Sequence, residues 1–272
     1  MTSAKAAAPF IDWDKRMFAW LYESAAVADA EVRKLMRDPT ELFSRAVQPV
    51  LWLAVFGQVF SQVRGIPTGK LDYLDFMAPG ILAQSILFSA IFYGIAIIWE
   101  RDLGIIHKLL VTPASRGALV LGKAMAAGLR GLVQAVVVYL VAVALQVDIR
   151  WEPLPMLTMA AGVFLGSCIF STFSLIIACI VKTRERFMGI GQLLTMPLFF
   201  ASNALYPLEL MPGWLRLIAA FNPLTYLVDV LRSAMIVGGE SAYSMPMSFG
   251  IMLLVFAGLL GLAARLYPGL AR

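Results

Sequence analysis

A chain of 272 residues that is 60% hydrophobic and only 14% charged carries more apolar surface than a water-soluble fold can hide, since soluble domains hold about 25% charged residues. The excess lies in six stretches of 18 or more residues with at most one charge each: 46–63, 76–99, 124–147, 154–181, 187–206 and 247–264. Each approaches the ~20 apolar residues that cross a bilayer core. A soluble enzyme, a nucleic-acid-binding domain, a disulfide scaffold and a disordered chain are thereby excluded, and the sequence predicts an all-α membrane protein with six transmembrane helices.

The net charge of +5 reads as topology. With the N-terminus inside, sixteen lysines and arginines fall in the inner segments and five in the outer ones, with Arg130 inside a span. Basic residues accumulate on the cytoplasmic side, so both termini are expected there.

Residues 1–38 form a polar N-terminal region without the short apolar core of a cleavable signal peptide. Within it, 15–37 reads as an interfacial amphipathic helix. Phe18, Leu21, Tyr22 and Ala25 share one face, while Lys15, Arg16 and Glu23 lie on others. Asp38-Pro39-Thr40-Glu41 is a helix start, with an Asp cap, Pro at the first helical position and an acid at the third. The transmembrane domain, 39–272, begins here. A short polar outer loop, 64–75, separates the first two spans.

The second span ends at Trp99, an aromatic suited to the membrane interface. The segment 100–116 that follows is longer than a plain connection requires. It has charge at its start, one or two apolar-periodic turns and a Thr112-Pro113 stop, and so predicts a short helix lying across the inner membrane face. A tight outer turn, Asp148 to Pro155, joins spans three and four, and an inner turn, Lys182 to Arg186, joins four and five. Residues 207–237 hold two helical pieces too short and too charged to cross. The second opens on the Asn222-Pro223 cap and carries Asp229 and Arg232 at i, i+3. A re-entrant pair on the outer side is expected.

Gly117 to Lys123 matches the first seven positions of a P-loop, but Ala124 stands where a Ser or Thr hydroxyl must hold magnesium. No strand signal precedes it and a span follows, so Lys123 is read as a positive-inside anchor and no ATP site is expected in this chain. His107 is the only histidine, which leaves no histidine cluster for a metal. The cysteines, Cys168 and Cys179, stand eleven residues apart on one helix, about 16 Å along its axis, too far for a disulfide. Gln84, Gln134 and Asn203 are polar residues within spans, and Arg130 is the single intramembrane charge, more naturally snorkelling to the inner interface than contacting a substrate. Two alternatives remain open: a membrane-embedded enzyme of lipid or glycan metabolism, which lacks the expected intramembrane acids and histidines, and an ATP-independent carrier.

Several motifs recur together in one known family. They are Arg37-Asp38-Pro39, Gln48-Pro49-Val50-Leu51-Trp52, Glu100-Arg101 with Gly104, Leu109-Leu110-x-Thr112-Pro113-x-Ser115-Arg116, Asn222-Pro223-Leu224-Thr225-Tyr226, and Asp229 to Arg232. Over about 31–240 the chain resembles the membrane subunit of a type-2 ABC exporter, in the branch of drug-resistance and nodulation-factor permeases. Ile105 departs from the Thr that many members carry after the glycine. The resemblance implies a bacterial inner-membrane permease that works as a dimer, homodimeric or heterodimeric, among membrane lipids. Two separate cytoplasmic ATPase subunits would bind the ATP and magnesium, with no cofactor on this chain and no nucleic acid. It implies a coupling helix at 100–116 gripped through Glu100, Arg101, Gly104, Lys108, Leu109 and Pro113, with the surface helix as a second contact. An outer gate would involve Asn222, Pro223, Asp229 and Arg232. The cargo would be an amphiphilic or lipid-linked molecule, with Gln84, Arg130, Gln134 and Asn203 as candidates for the pathway.

Overall fold

The computed structural model describes residues 13–37, 47–61, 71–112, 114–181 and 183–271. The expected elbow at 38–41, most of the first loop, and Pro113 and Lys182 lie outside the described residues. In chain order the helices are α1 (Trp13–Arg37), α2 (47–61), α3 (Tyr73–Asp102), α4 (Ile105–Val111), α5 (Arg116–Ala144), α6 (Pro153–Ile180), α7 (Arg184–Phe200), α8 (Gly213–Phe221), α9 (Pro223–Met235) and α10 (Met245–Leu266).

Four of these helices, α3, α5, α6 and α10, are long and apolar enough to cross a membrane, and α8 with α9 forms a further apolar pair bent by 83°. The other two expected spans are shorter. The described part of α2 includes a π-helical turn at Trp52–Gly57. The 17-residue α7 contains Pro197 and stops at Phe200, where turns take over.

The bundle core is α3, α5 and α6, with α9 filling one end. Side chains of α3, α5, α6 and α9 form a cluster around Ile81, Ala135, Ile169 and Leu227. At the α4 end a second cluster gathers Tyr93, Ile97, Ile106, Leu119, Phe187 and Tyr267. Close approach of α9 to α6 depends on two small residues one turn apart. A Cβ on Gly162 would lie 2.8 Å from Val230, and one on Gly166 2.6 Å from Leu227.

Backbone pairing fixes the far end of α9. Ile149 and Ile236 form an antiparallel bridge, with Arg150 N–H donating to Met235 and Val237 N–H to Asp148. The short loop after α5 is thus tied to the residues that follow α9. Gln146, at φ 61°, closes the C-terminus of α5 in the left-handed region.

Candidate functional site

Three polar constellations stand out, one at each end of the bundle and one inside it. At the α4 end, α3 stops because Gly104 takes φ 72°, a conformation costly for any residue with a Cβ. The N–H groups of Leu103 and Gly104 cap the carbonyls of Trp99 and Arg101. The chain then turns into α4, whose Ile106 is fully buried in the second cluster while Leu103, Ile105 and Val111 are exposed. Lys108 and His107 lie outward, and Leu109 is half-buried. A seven-residue helix is thus seated by Ile106, with Leu109 and Leu110 packed against the same cluster, and presents a mixed apolar and basic face.

Glu100 and Lys123 define the seat. Lys123 Nζ lies 2.6 Å from Glu100 and 2.9 Å from Glu31, and Lys123 is 2% exposed. Three helices meet at this ammonium: α1, the end of α3 and the start of α5. Such a buried charge is tolerated only when paired, and two carboxylates supply the pairing. Arg101 turns the other way, to Asp102 at 3.0 Å and to the Val181 carbonyl. Asp102 also receives Arg184 at 2.8 Å, whose guanidinium stacks 3.6 Å over the Trp99 ring. The connection between α6 and α7 is thereby fastened to the end of α3.

The P-loop-like string gains a structural explanation here. Gly117 faces Trp20, and a Cβ on Gly122 would meet the Ser24 backbone and Val27 of α1. The glycines admit a neighbouring helix, and the lysine is consumed by its ion pairs. Glu23 also accepts from the Ser115 N–H, and Ser115 Oγ from Ala118 N–H, capping α5. On α1 it is Ser24 and Ala28 that are buried, whereas Leu21 and Tyr22 are exposed. Leu21, Tyr22 and Ala25 of the apolar face therefore point away from the bundle, because the glycines of α5 accept only the small face.

At the α9 end, Asn222 Oδ1 caps α9 at Leu224 N–H, and its Nδ2 donates to the Leu198 carbonyl at 2.6 Å. Pro223 occupies the first helical position. Asp229 and Arg232 are buried, and each turns to other groups. Asp229 accepts from Asn203 Nδ2 at 3.0 Å and from the N–H groups of Ala242 and Tyr243. Arg232 donates to the Asn203 carbonyl at 2.6 Å and stacks 3.8 Å over Phe76. Asn203 thus serves both, its amide on the anion and its carbonyl on the cation.

Inside the bundle, Gln84 of α3, Arg130 and Gln134 of α5 and Ser167 of α6 are all buried. Arg130 is held at 5.3 Å from the Tyr93 ring centroid rather than reaching the surface, because the aromatic face gives the guanidinium a partner. Among the described residues nothing hydrogen-bonds to the side-chain amides of Gln84 or Gln134. Sequence reasoning missed Glu31, Asp102 and Arg184, and the pairing of Lys123. The available signal was the Ser24, Ala28, Glu31 stripe, small residues at i and i+4 followed by an acid at i+7.

The fold is thus a helical bundle with four helices long and apolar enough to cross a membrane, a short seated helix between two of them and a bent apolar pair before the last. Residues 22–236 match the ABC-2 type transporter family, and the chain belongs to it. It is 32% identical over 202 residues to the transport permease ycf38 of Cyanophora paradoxa, covering 73% of this chain and 69% of that protein. It is 25% identical to the daunorubicin resistance ABC transporter permease protein DrrB1 of Streptomyces coeruleorubidus, covering 86% and 80%. Nodulation protein J of Rhizobium leguminosarum bv. viciae is 23% identical, covering 88% and 86%.

Proposed function

We propose that the chain is the permease subunit of an ATP-driven exporter of the bacterial inner membrane. It moves an amphiphilic or lipid-linked molecule outward, with two separate ATPase subunits that would bind ATP and magnesium and hydrolyse the ATP. In this reading six segments cross the membrane, α2 and α7 among them, both termini are cytoplasmic, and a second permease copy completes the pathway. The α4 end is then the cytoplasmic end and the α9 end the outer one.

The observation that carries the reading is the seat of α4. An ATPase that grips Leu103, Ile105 and Lys108 pushes on a helix that follows directly from the end of α3, where Glu100 is ion-paired to Lys123, and Lys123 to Glu31. A displacement of α4 therefore reaches α3, α5 and α1 together as a rigid-body motion. The transmitted motion would reach the Asn222 elbow and open the outer end, with Gln84, Arg130, Gln134 and Asn203 along the route. Coexpression with the ATPase subunit encoded beside this chain tests the proposal. The two should copurify, ATP hydrolysis in nanodiscs should respond to cargo, and Arg101→Ala should leave insertion intact while uncoupling hydrolysis from transport. Transport that persists without nucleotide would instead support an ATP-independent carrier.

A further inference from the structure

Beside Asp229 and Arg232 lies a cleft of about 550 Å³, within the range of small-molecule sites. Its lining has an apolar side, Leu71, Phe76, Leu208 and Leu210, and a polar side, Asn203, Glu209, Asp229, Arg232, Glu240 and Ser241. Three carboxylates face one guanidinium there. The Asp229 charge is absorbed by Asn203 and two backbone N–H groups, whereas Glu209 and Glu240 are exposed at the mouth. Asn203, 1% exposed, keeps its Oδ1 without a hydrogen-bond donor. A buried acceptor left open costs about 1–3 kcal/mol, so its retention beside a cleft marks a place for a donor. Arg232 keeps its Nε without an acceptor, but its guanidinium is turned to the Asn203 carbonyl and the Phe76 ring, so the acidic mouth, the open acceptor and the apolar wall are left to the guest.

We propose that this cleft binds the ammonium group of an amine-bearing amphiphile, with Glu209 and Glu240 attracting the charge, Asn203 Oδ1 accepting an N–H and the Leu71 to Leu210 wall holding the alkyl part. The proposal rests on the exporter reading for its meaning, as an exit site for cationic cargo, but its binding chemistry does not need ATP. The amine can come from cargo or from a lipid headgroup.

The test uses the full chain with Cys168 and Cys179 replaced by Ala and Ser241→Cys as a reporter, in phosphatidylglycerol nanodiscs, where both faces are accessible. Octylamine should slow maleimide labelling of the reporter about fivefold, the scale of one partly screened ion pair, whereas octanol and octanoate should not. Glu209→Gln with Glu240→Gln should erase the difference. If that variant does not assemble, Glu209→Gln alone should halve the octylamine effect, and the wild-type selectivity still decides. Nanodiscs containing phosphatidylethanolamine and no octylamine form the second arm. Protection there assigns the amine to the lipid, and protection by octylamine alone assigns it to cargo. Equal protection by all three octyl compounds, or full protection in both glutamine variants, overturns the proposal. ATP-dependent transport, measured separately, would be untouched by that failure.

Discussion

Glu100 and Lys123 stand 2.6 Å apart at the point where a spanning helix turns into the short helix that follows it. Both are buried, and Glu31 arrives from α1 to complete the cluster. The α4 end is thus held by charge as well as by the apolar cluster that receives Ile106.

Removing the cation from this cluster strands two carboxylates. Lys123→Met is expected to destabilise the protein by about 3–5 kcal/mol. The triple variant with Glu31→Gln and Glu100→Gln should regain most of that loss. Thermal unfolding in nanodiscs checks both, and a triple variant no better than Lys123→Met would contradict the assignment.

Gly104 is required by its backbone. Gly104→Ala must place a Cβ at φ 72°, at a cost of about 1–2 kcal/mol. No side chain lies within 4 Å of that Cβ, so the defect is conformational and Gly104→Asn should be the milder change. Recovery of the ATPase complex on a size-exclusion column, in the order Gly, Asn, Ala, is the expected result.

Asn203→Ala removes the amide that donates to Asp229 while leaving the carbonyl that receives Arg232. A loss of about 1–3 kcal/mol is expected. Amide exchange at Ala242 and Tyr243 should accelerate, because their acceptor loses its third donor. Unchanged exchange at those two amides would show that Asn203 does not position Asp229.

Bulk at the α6 face should push α9 away. Gly162→Val or Gly166→Val meets Val230 or Leu227 at distances no real Cβ occupies, an overpacking cost of about 1–3 kcal/mol. Crosslinking yield between cysteines introduced on α6 and α9 should fall in either variant.

The sequence was informative wherever a feature is local. The Asn222-Pro223 cap, the stop at Thr112 after α4 and the long apolar runs of α3, α5, α6 and α10 are patterns of neighbours, and the helices follow them. The ion pairs of Lys123 were not legible because its partners lie 23 and 92 residues away, and no spacing rule connects such positions. The face that α1 turns to the bundle went unread for a related reason. Apolar periodicity marks the side that avoids water, but the glycines of α5 select the side that is smallest. Asp229 and Arg232, at helical spacing, looked like partners for each other, and only the fold brings Asn203 between them. Arg130 looked set to snorkel until Tyr93 offered it a ring.

The antiparallel bridge between Ile149 and Ile236 divides the bent pair into unequal arms. One arm, α9, is stitched at its far end to the loop after α5, nested on the glycines of α6 and clasped by Asn203. The other, α8, presents Trp214, Leu217 and Phe221 outward and joins α9 through the elbow at Asn222. Any widening at this end must swing nine residues about one asparagine, or else unpick a backbone pairing, a stacked guanidinium and a buried carboxylate together. The hinge is thus set by what the neighbouring arm is forbidden to do.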